Sequence, residues 1–189
     1  MPNLYIIAGC NGAGKTTASY TVLPEMLQCK EFVNADEIAR GLSPFNMESV
    51  AVEAGRIMLT RIEDLLDERV DFAFETTLAS RSFVNLVKRA QQQGYLVSLV
   101  FFWLNSSELA IRRVAQRVTL GGHHIEEPVI RRIHYRGLYN LFNLYMNIVD
   151  YWILVDNTKS PLQVIAEKEK NDEIYISNAV VYNQISKNI

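Results

Sequence analysis

Leu4-Tyr5-Ile6-Ile7-Ala8-Gly9-Cys10-Asn11-Gly12-Ala13-Gly14-Lys15-Thr16-Thr17 is a short apolar run that passes directly into the spacing G-x-x-x-x-G-K-[ST]. This pattern marks a phosphate-binding loop between a strand and a helix. Glycines let the backbone wrap a polyphosphate with successive amides facing its oxygens. Lys15 can then reach the β and γ phosphates, and the Thr16 hydroxyl can ligate Mg²⁺. The helix that starts here aims its positive end at the same anion. We therefore expect Gly9, Asn11, Gly12, Ala13, Gly14, Lys15, Thr16 and Thr17 to form the wall of a nucleotide site.

Outward from this loop, apolar runs of strand length recur at Glu31–Ala35, Phe72–Glu75, Tyr95–Leu104 and Tyr151–Val155, each separated from the next by helix-like sequence. Such alternation predicts an α/β fold, with a mostly parallel sheet of about five strands and helices on both faces. Ligands of such sheets bind beyond the carboxyl ends of the strands, here Gly9, Asp36, Glu75, Asn105 and Asp156. Met47 to Arg69 reads as one long helix and Ser82 to Gln93 as another, closed by Gly94. The tail over 161–189 reads as a helical extension with a short apolar segment at Ile174–Ile176 and a final helix.

At 189 residues the chain suits a single domain, and its net charge of −2 gives no broad basic surface, which makes nucleic acid an unexpected partner. Cys10 and Cys29 lack metal-ligand spacing, and no basic leader precedes a long apolar segment, so a reducing cytoplasm is the expected compartment. The run Leu96–Leu104 is too short to span a bilayer. His123 and His124 are adjacent rather than at ligand spacing. Cys10, beside a helix start, is expected to be rich in thiolate.

Asp36 ends the second apolar run in Asn34-Ala35-Asp36-Glu37 and should lie across from the loop. It reads either as a helix N-cap or as the group that orients an acceptor hydroxyl and takes its proton. Since an aspartate is a weak base toward an alcohol, orientation should dominate. Glu75, in Phe74-Glu75-Thr76-Thr77, places a charge at the end of a buried strand. It either pairs with an arginine or, assisted by Thr77, holds the acceptor or a Mg²⁺-bound water.

Arg112, Arg113, Arg117, Arg131, Arg132 and Arg136 concentrate positive charge on two amphipathic helices about Gly121-Gly122-His123-His124. They read either as a solvated basic face or as an arginine-bearing helical lid over 106–147 that closes on the nucleotide and neutralises transition-state charge. In the second helix, Ile130, Ile133, Leu138, Leu141 and Leu144 make the core stripe, while Arg132, Arg136, Asn140, Asn143 and Asn147 line a polar one. Asp156-Asn157 either borders a base pocket or is a plain turn.

These motifs together resemble the zeta-toxin-like P-loop kinases, particularly their small bacterial members, over about residues 4 to 165. The resemblance rests on Gly9–Thr17, Asn34-Ala35-Asp36-Glu37-Ile38-Ala39, Phe74-Glu75-Thr76-Thr77-Leu78, Arg113-Val114-Ala115-Gln116-Arg117-Val118 with Gly121-Gly122-His123, and Val149-Asp150-Tyr151-Trp152 leading to Asp156-Asn157. Cys10 stands where such relatives commonly carry proline, and Ile133 interrupts a basic run.

The resemblance implies an ATP- and Mg²⁺-dependent kinase; the characterised toxins of the family phosphorylate UDP-N-acetylglucosamine. It also implies Asp36 as base, Glu75 as an acceptor contact, and Arg117 with Arg131 or Arg132 as phosphate clamps. We accordingly expect transfer of the γ-phosphoryl group to a small acceptor such as a sugar nucleotide. The expected catalytic residues are Lys15, Asp36, Arg117 and Arg132; Arg113 contacts ATP, and Asp36, Glu75 and Thr77 bind the acceptor. The alternatives are a toxin-like nucleotide-binding protein acting through an antitoxin, and a polynucleotide kinase.

Overall fold

A computed structural model describes residues 1–169 and 172–189. Strand β1 (Asn3–Gly9) leads through the glycine-rich loop into α1 (Lys15–Thr21), which continues into a π-helical turn, Val22–Met26. Then follow β2 (Glu31–Val33), α2 (Ala35–Leu42), a 3₁₀ turn at Met47–Val50, α3 (Ala51–Glu68), β3 (Phe72–Thr76), α4 (Phe83–Gln92) and β4 (Leu96–Trp103). After α5 (Ser107–Thr119), α6 (Glu127–Asn143) and β5 (Tyr151–Asp156), the chain ends with β6 (Gln163–Glu169), β7 (Tyr175–Ile176) and α7 (Ala179–Lys187).

The sheet order is β2-β3-β1-β4-β5-β6-β7. The first five strands of that order are parallel, and β6 and β7 are antiparallel. Strand period sorts the core into two faces. Leu4, Ile6 and Ala8 of β1 join Phe72, Phe74, Val97, Leu99, Phe101, Trp152 and Leu154 under α3, α4 and α7. Ile7, Ala73, Phe102 and Val155 face the other way, onto Ala110 and Val114 of α5. Trp103 and Trp152 are core residues.

Among the described residues seven strands replace the expected five or so, and the helical extension over 161–189 is corrected: Gln163–Glu169 is a strand. Ala166, Glu167, Lys168 and Glu169 favour helix locally, yet the open edge of β5 offers a hydrogen-bond ladder and a cover for Ile165 and Ala166, both fully buried. A register shift in this pairing, opposite Leu154 and Val155, lets the adjacent side chains of Ile165 and Ala166 enter the same core cluster. The final helix is where the sequence places it. Among the described residues no helix is long and apolar enough to cross a membrane.

Helix α6 begins in one core cluster, at Ile130, and ends in the other, at Leu141, so it crosses the sheet from one face to the other. Its middle, Gly137, lies against the Thr77 carbonyl. With Ala110 and Val114 also buried, both arginine-bearing helices are seated in the core, and the turn at 120–126 between them is the largely exposed part. Asn140, assigned to the polar stripe, is instead buried, its Nδ2 donating to the Leu78 carbonyl at 2.7 Å.

Candidate nucleotide and phosphoryl-transfer site

The carboxyl ends of β1, β2 and β3 open into a cavity of about 460 Å³. Asn11, Gly12, Gly14, Lys15, Thr16 and Thr17 line one side; Asp36, Glu75, Thr77, Arg113 and Arg117 complete it. Sequence-predicted groups from four segments therefore meet in one place. Ala13 and Gly9 stand behind this wall and hold its shape. At Gly9, φ is +143°, and a Cβ would sit 2.5 Å from the Phe102 carbonyl oxygen, so only glycine lets β1 turn this close to β4.

Gly14 occupies the cap of α1 at φ +84°. Asn157 braces the loop from behind, its Nδ2 donating to the Ala13 carbonyl at 2.8 Å. Arg113 donates to the Thr158 carbonyl at 3.1 Å and reaches toward the Gly12 carbonyl. Asp156-Asn157 is thus part of the support under the phosphate loop.

Glu75 is the hub of the site. Its Oε1 lies 3.3 Å from Lys15 Nζ, and its Oε2 accepts from Thr16 Oγ1 at 2.7 Å and from Asn34 Nδ2 at 2.9 Å. Lys15 also donates to the Cys10 carbonyl at 3.0 Å. In the alternative that pairs Glu75 with an arginine, the partner is instead Lys15, because parallel pairing of β1 with β3 sets Ile7 beside Glu75 and brings the loop after β1 over the end of β3.

Asn34, to which the sequence reading gave no role of its own, caps α2: its Oδ1 accepts from the Asp36 N–H at 2.8 Å. The alternative of Asp36 as the N-cap is thereby corrected. Asp36 sits in the first turn and lines the cavity. An Asn at a strand-to-helix boundary two residues before an Asp was the available signal.

Arg117 lines the cavity, and its Nε is buried without a hydrogen-bond partner among the described residues, while an Nη donates to the His123 carbonyl at 3.1 Å. Arg132 is exposed and not on the cavity wall. Arg131 pairs with Glu108, and Arg136 borders a separate hollow with Arg81. The expected thiolate at Cys10 is overturned. The side chain is 4% exposed, and burial pushes its pKa up to about 11 against the smaller opposing pull of Lys15 and Arg113.

The donor set fits a triphosphate: a glycine loop with positive φ, one lysine and two arginines, Arg113 and Arg117, line one space. It also fits a divalent cation, since Thr16 and Glu75 bring a hydroxyl and a carboxylate together at 2.7 Å.

A family model described as Zeta toxin matches residues 1–179. An uncharacterized protein of Haemophilus influenzae (strain ATCC 51907 / DSM 11121 / KW20 / Rd) is 28% identical over 123 residues, which is 65% of this chain and 86% of that protein. The crystal structure of AvrRxo1-ORF1:-ORF2 with ATP matches 98% of the chain at a TM-score of 0.77 and 17% identity; this chain spans 64% of its length. A chain from the PezAT chromosomal toxin-antitoxin system of Streptococcus pneumoniae matches 99% of this one and is itself covered to 84%, at a TM-score of 0.69 and 16% identity. The fold they share is that of the P-loop kinases.

Proposed function

The chain belongs to the Zeta toxin family, and from that premise we propose that it is an ATP-dependent phosphotransferase that moves the γ-phosphoryl group to an alcohol of a small acceptor. The reading is carried by one observation: Asp36 shares a cavity of about 460 Å³ with Lys15, Thr16, Glu75 and Arg117. A sugar nucleotide such as UDP-N-acetylglucosamine is the acceptor class that the family resemblance supplies.

Lys15, the loop amides and Arg113 bind and align the triphosphate, and Arg117 neutralises charge that grows on the transferring group. Thr16 and Glu75 would hold Mg²⁺, which when bound would supply positive charge that offsets the charge of the phosphates. Glu75 and Thr77 seat the acceptor so that its hydroxyl lies in line with the γ-phosphorus. The bond from acceptor oxygen to phosphorus forms as the bond from phosphorus to the β,γ-bridging oxygen breaks. ADP leaves, and the hydroxyl proton passes to Asp36. Because a carboxylate is a poor base for an alcohol, Asp36 acts mainly by orientation and takes the proton late.

Similarity to a toxin-antitoxin structure supports an antitoxin-like protein as a binding partner; a reducing cytoplasm is the setting that goes with this proposal. A nucleic-acid acceptor is disfavoured by the net charge of −2.

The decisive experiment follows labelled γ-phosphate from ATP into UDP-N-acetylglucosamine, other sugar nucleotides and short oligonucleotides. Asp36→Asn should keep ATP affinity within about twofold while transfer falls about 10²- to 10⁴-fold. Equal loss of binding and transfer would refute the role of Asp36. Absence of transfer from the unmodified protein to every acceptor would refute the kinase reading.

A further inference from the structure

Asn34 is 6% exposed, on the wall of the same cavity. Its carboxamide makes two bonds of opposite polarity, accepting from the Asp36 N–H and donating to Glu75 Oε2. A backbone N–H can be met only by the amide oxygen and a carboxylate only by the NH₂, so a single orientation of the group satisfies both. One side chain therefore ties the start of α2, which carries Asp36, to the end of β3, which carries Glu75.

Among the described residues, Glu75 is held by three side chains: Lys15, Thr16 and Asn34. Two of these are the groups assigned to phosphate and metal. When Lys15 and Thr16 turn to those partners, Asn34 is the side chain that stays on Glu75. We infer that Asn34 is a positioning residue, which keeps Glu75 aimed at the acceptor and Asp36 at a fixed spacing from it while nucleotide enters and leaves. This inference rests on the kinase reading above.

The chemistry selects asparagine. Aspartate offers the capping oxygen but no donor, and it sets a second negative charge against Glu75. Serine caps a helix as well as asparagine does, yet it is too short to reach the carboxylate. A residue needed only for the helix start would tolerate either replacement.

Asn34→Ser and Asn34→Asp are therefore the test, with the unmodified protein assayed beside them. Both should fold and keep the KM for ATP within about twofold, while kcat/KM for the acceptor falls about 10- to 100-fold. Acceptor kinetics unchanged in both variants would overturn the inference even though the unmodified protein transfers phosphate.

A readout independent of turnover is the side-chain amide signal of Asn34 in ¹⁵N-correlated NMR of the full chain. It should stay shifted and protected from exchange when a non-hydrolysable ATP analogue and Mg²⁺ are added, and it should lose both properties in Glu75→Ala. Loss of the protected signal on adding the analogue to the unmodified protein would overturn the inference. Since this measurement needs no transfer, it decides the role of Asn34 even where the acceptor assay refutes the kinase reading.

Discussion

Lys15 Nζ lies 3.3 Å from Glu75 Oε1, with the two side chains only 6% and 10% exposed, so the cation of the phosphate loop has a carboxylate as its resident counter-ion. Opposite charges that are both withdrawn from water need one another. A triphosphate entering the cavity competes with Glu75 for the same ammonium group, and the Thr16 hydroxyl faces the same exchange.

Removing the carboxylate should therefore destabilise the nucleotide-free protein and enhance its response to nucleotide. For Glu75→Ala we expect a loss of about 3 kcal/mol, the usual cost of stranding one member of a buried pair. ATP without Mg²⁺, which leaves the metal-holding role of Glu75 out of the comparison, should recover more of it than it adds to the unmodified protein, because the phosphates supply the missing countercharge. Thermal unfolding with and without nucleotide measures both shifts. Equal nucleotide-induced shifts in the two proteins would show that Glu75 does not compete for Lys15.

The strand period and the G-x-x-x-x-G-K-T spacing made the parallel half of the sheet and the phosphate loop legible, because both signals are local. The hub at Glu75 was not. Its bonds to Thr16 and Asn34 join residues 59 and 41 positions apart, and only the pairing order β2-β3-β1 brings their strand ends together. Strand β6 escaped for a related reason: its fate is set by the free edge of β5, which no local propensity encodes. The Cys10 expectation weighed its place beside a helix start, but desolvation is the larger effect once the side chain is buried.

Arg117 and Arg132 were grouped by sequence, and the structure separates them. Arg117 lines the cavity, its Nε without a partner among the described residues, whereas Arg132 is exposed and off that wall. Arg117→Ala should lower kcat about 10³-fold, and Arg132→Ala less than about threefold. Steady-state kinetics at saturating ATP compare them directly. Equal losses would mean that α6 brings Arg132 inward in the closed complex.

Gly137 lies in the middle of α6, where alanine would ordinarily favour the helix by about 1 kcal/mol. Here a Cβ would stand 2.5 Å from the Thr77 carbonyl oxygen, a backbone atom that cannot swing aside. Gly137→Ala should therefore destabilise, by about 1–3 kcal/mol, as α6 is pushed off the loop after β3. The acceptor KM should rise while the ATP KM holds, because Thr77 is displaced and the phosphate loop is not. Chemical denaturation and the two KM values test this; a stabilised variant would show that α6 does not rest on Thr77.

Cys10 gives a prediction in pH. Its value in the folded protein, about 11, lies above the 9.0 of an unburied thiol, and burial is the dominant cause. Below about pH 9 both folded and unfolded chains keep the proton, so the contribution is present in full. Between pH 9 and 11 the unfolded chain releases its proton while the folded one holds it, and stability falls by at most about 1.4 kcal/mol per pH unit for this thiol. Cys29, also raised to about 11, acts in the same direction. Denaturant midpoints at pH 7.5, 9 and 10.5 should decline along this course, and Cys10→Ala should flatten the decline whatever its stability at neutral pH. In parallel, iodoacetamide at pH 8 should label Cys10 slowly in the folded protein and readily after unfolding. An unaltered slope in Cys10→Ala, or rapid labelling of the folded chain, would mean that the thiol is more open to water than its 4% exposure indicates.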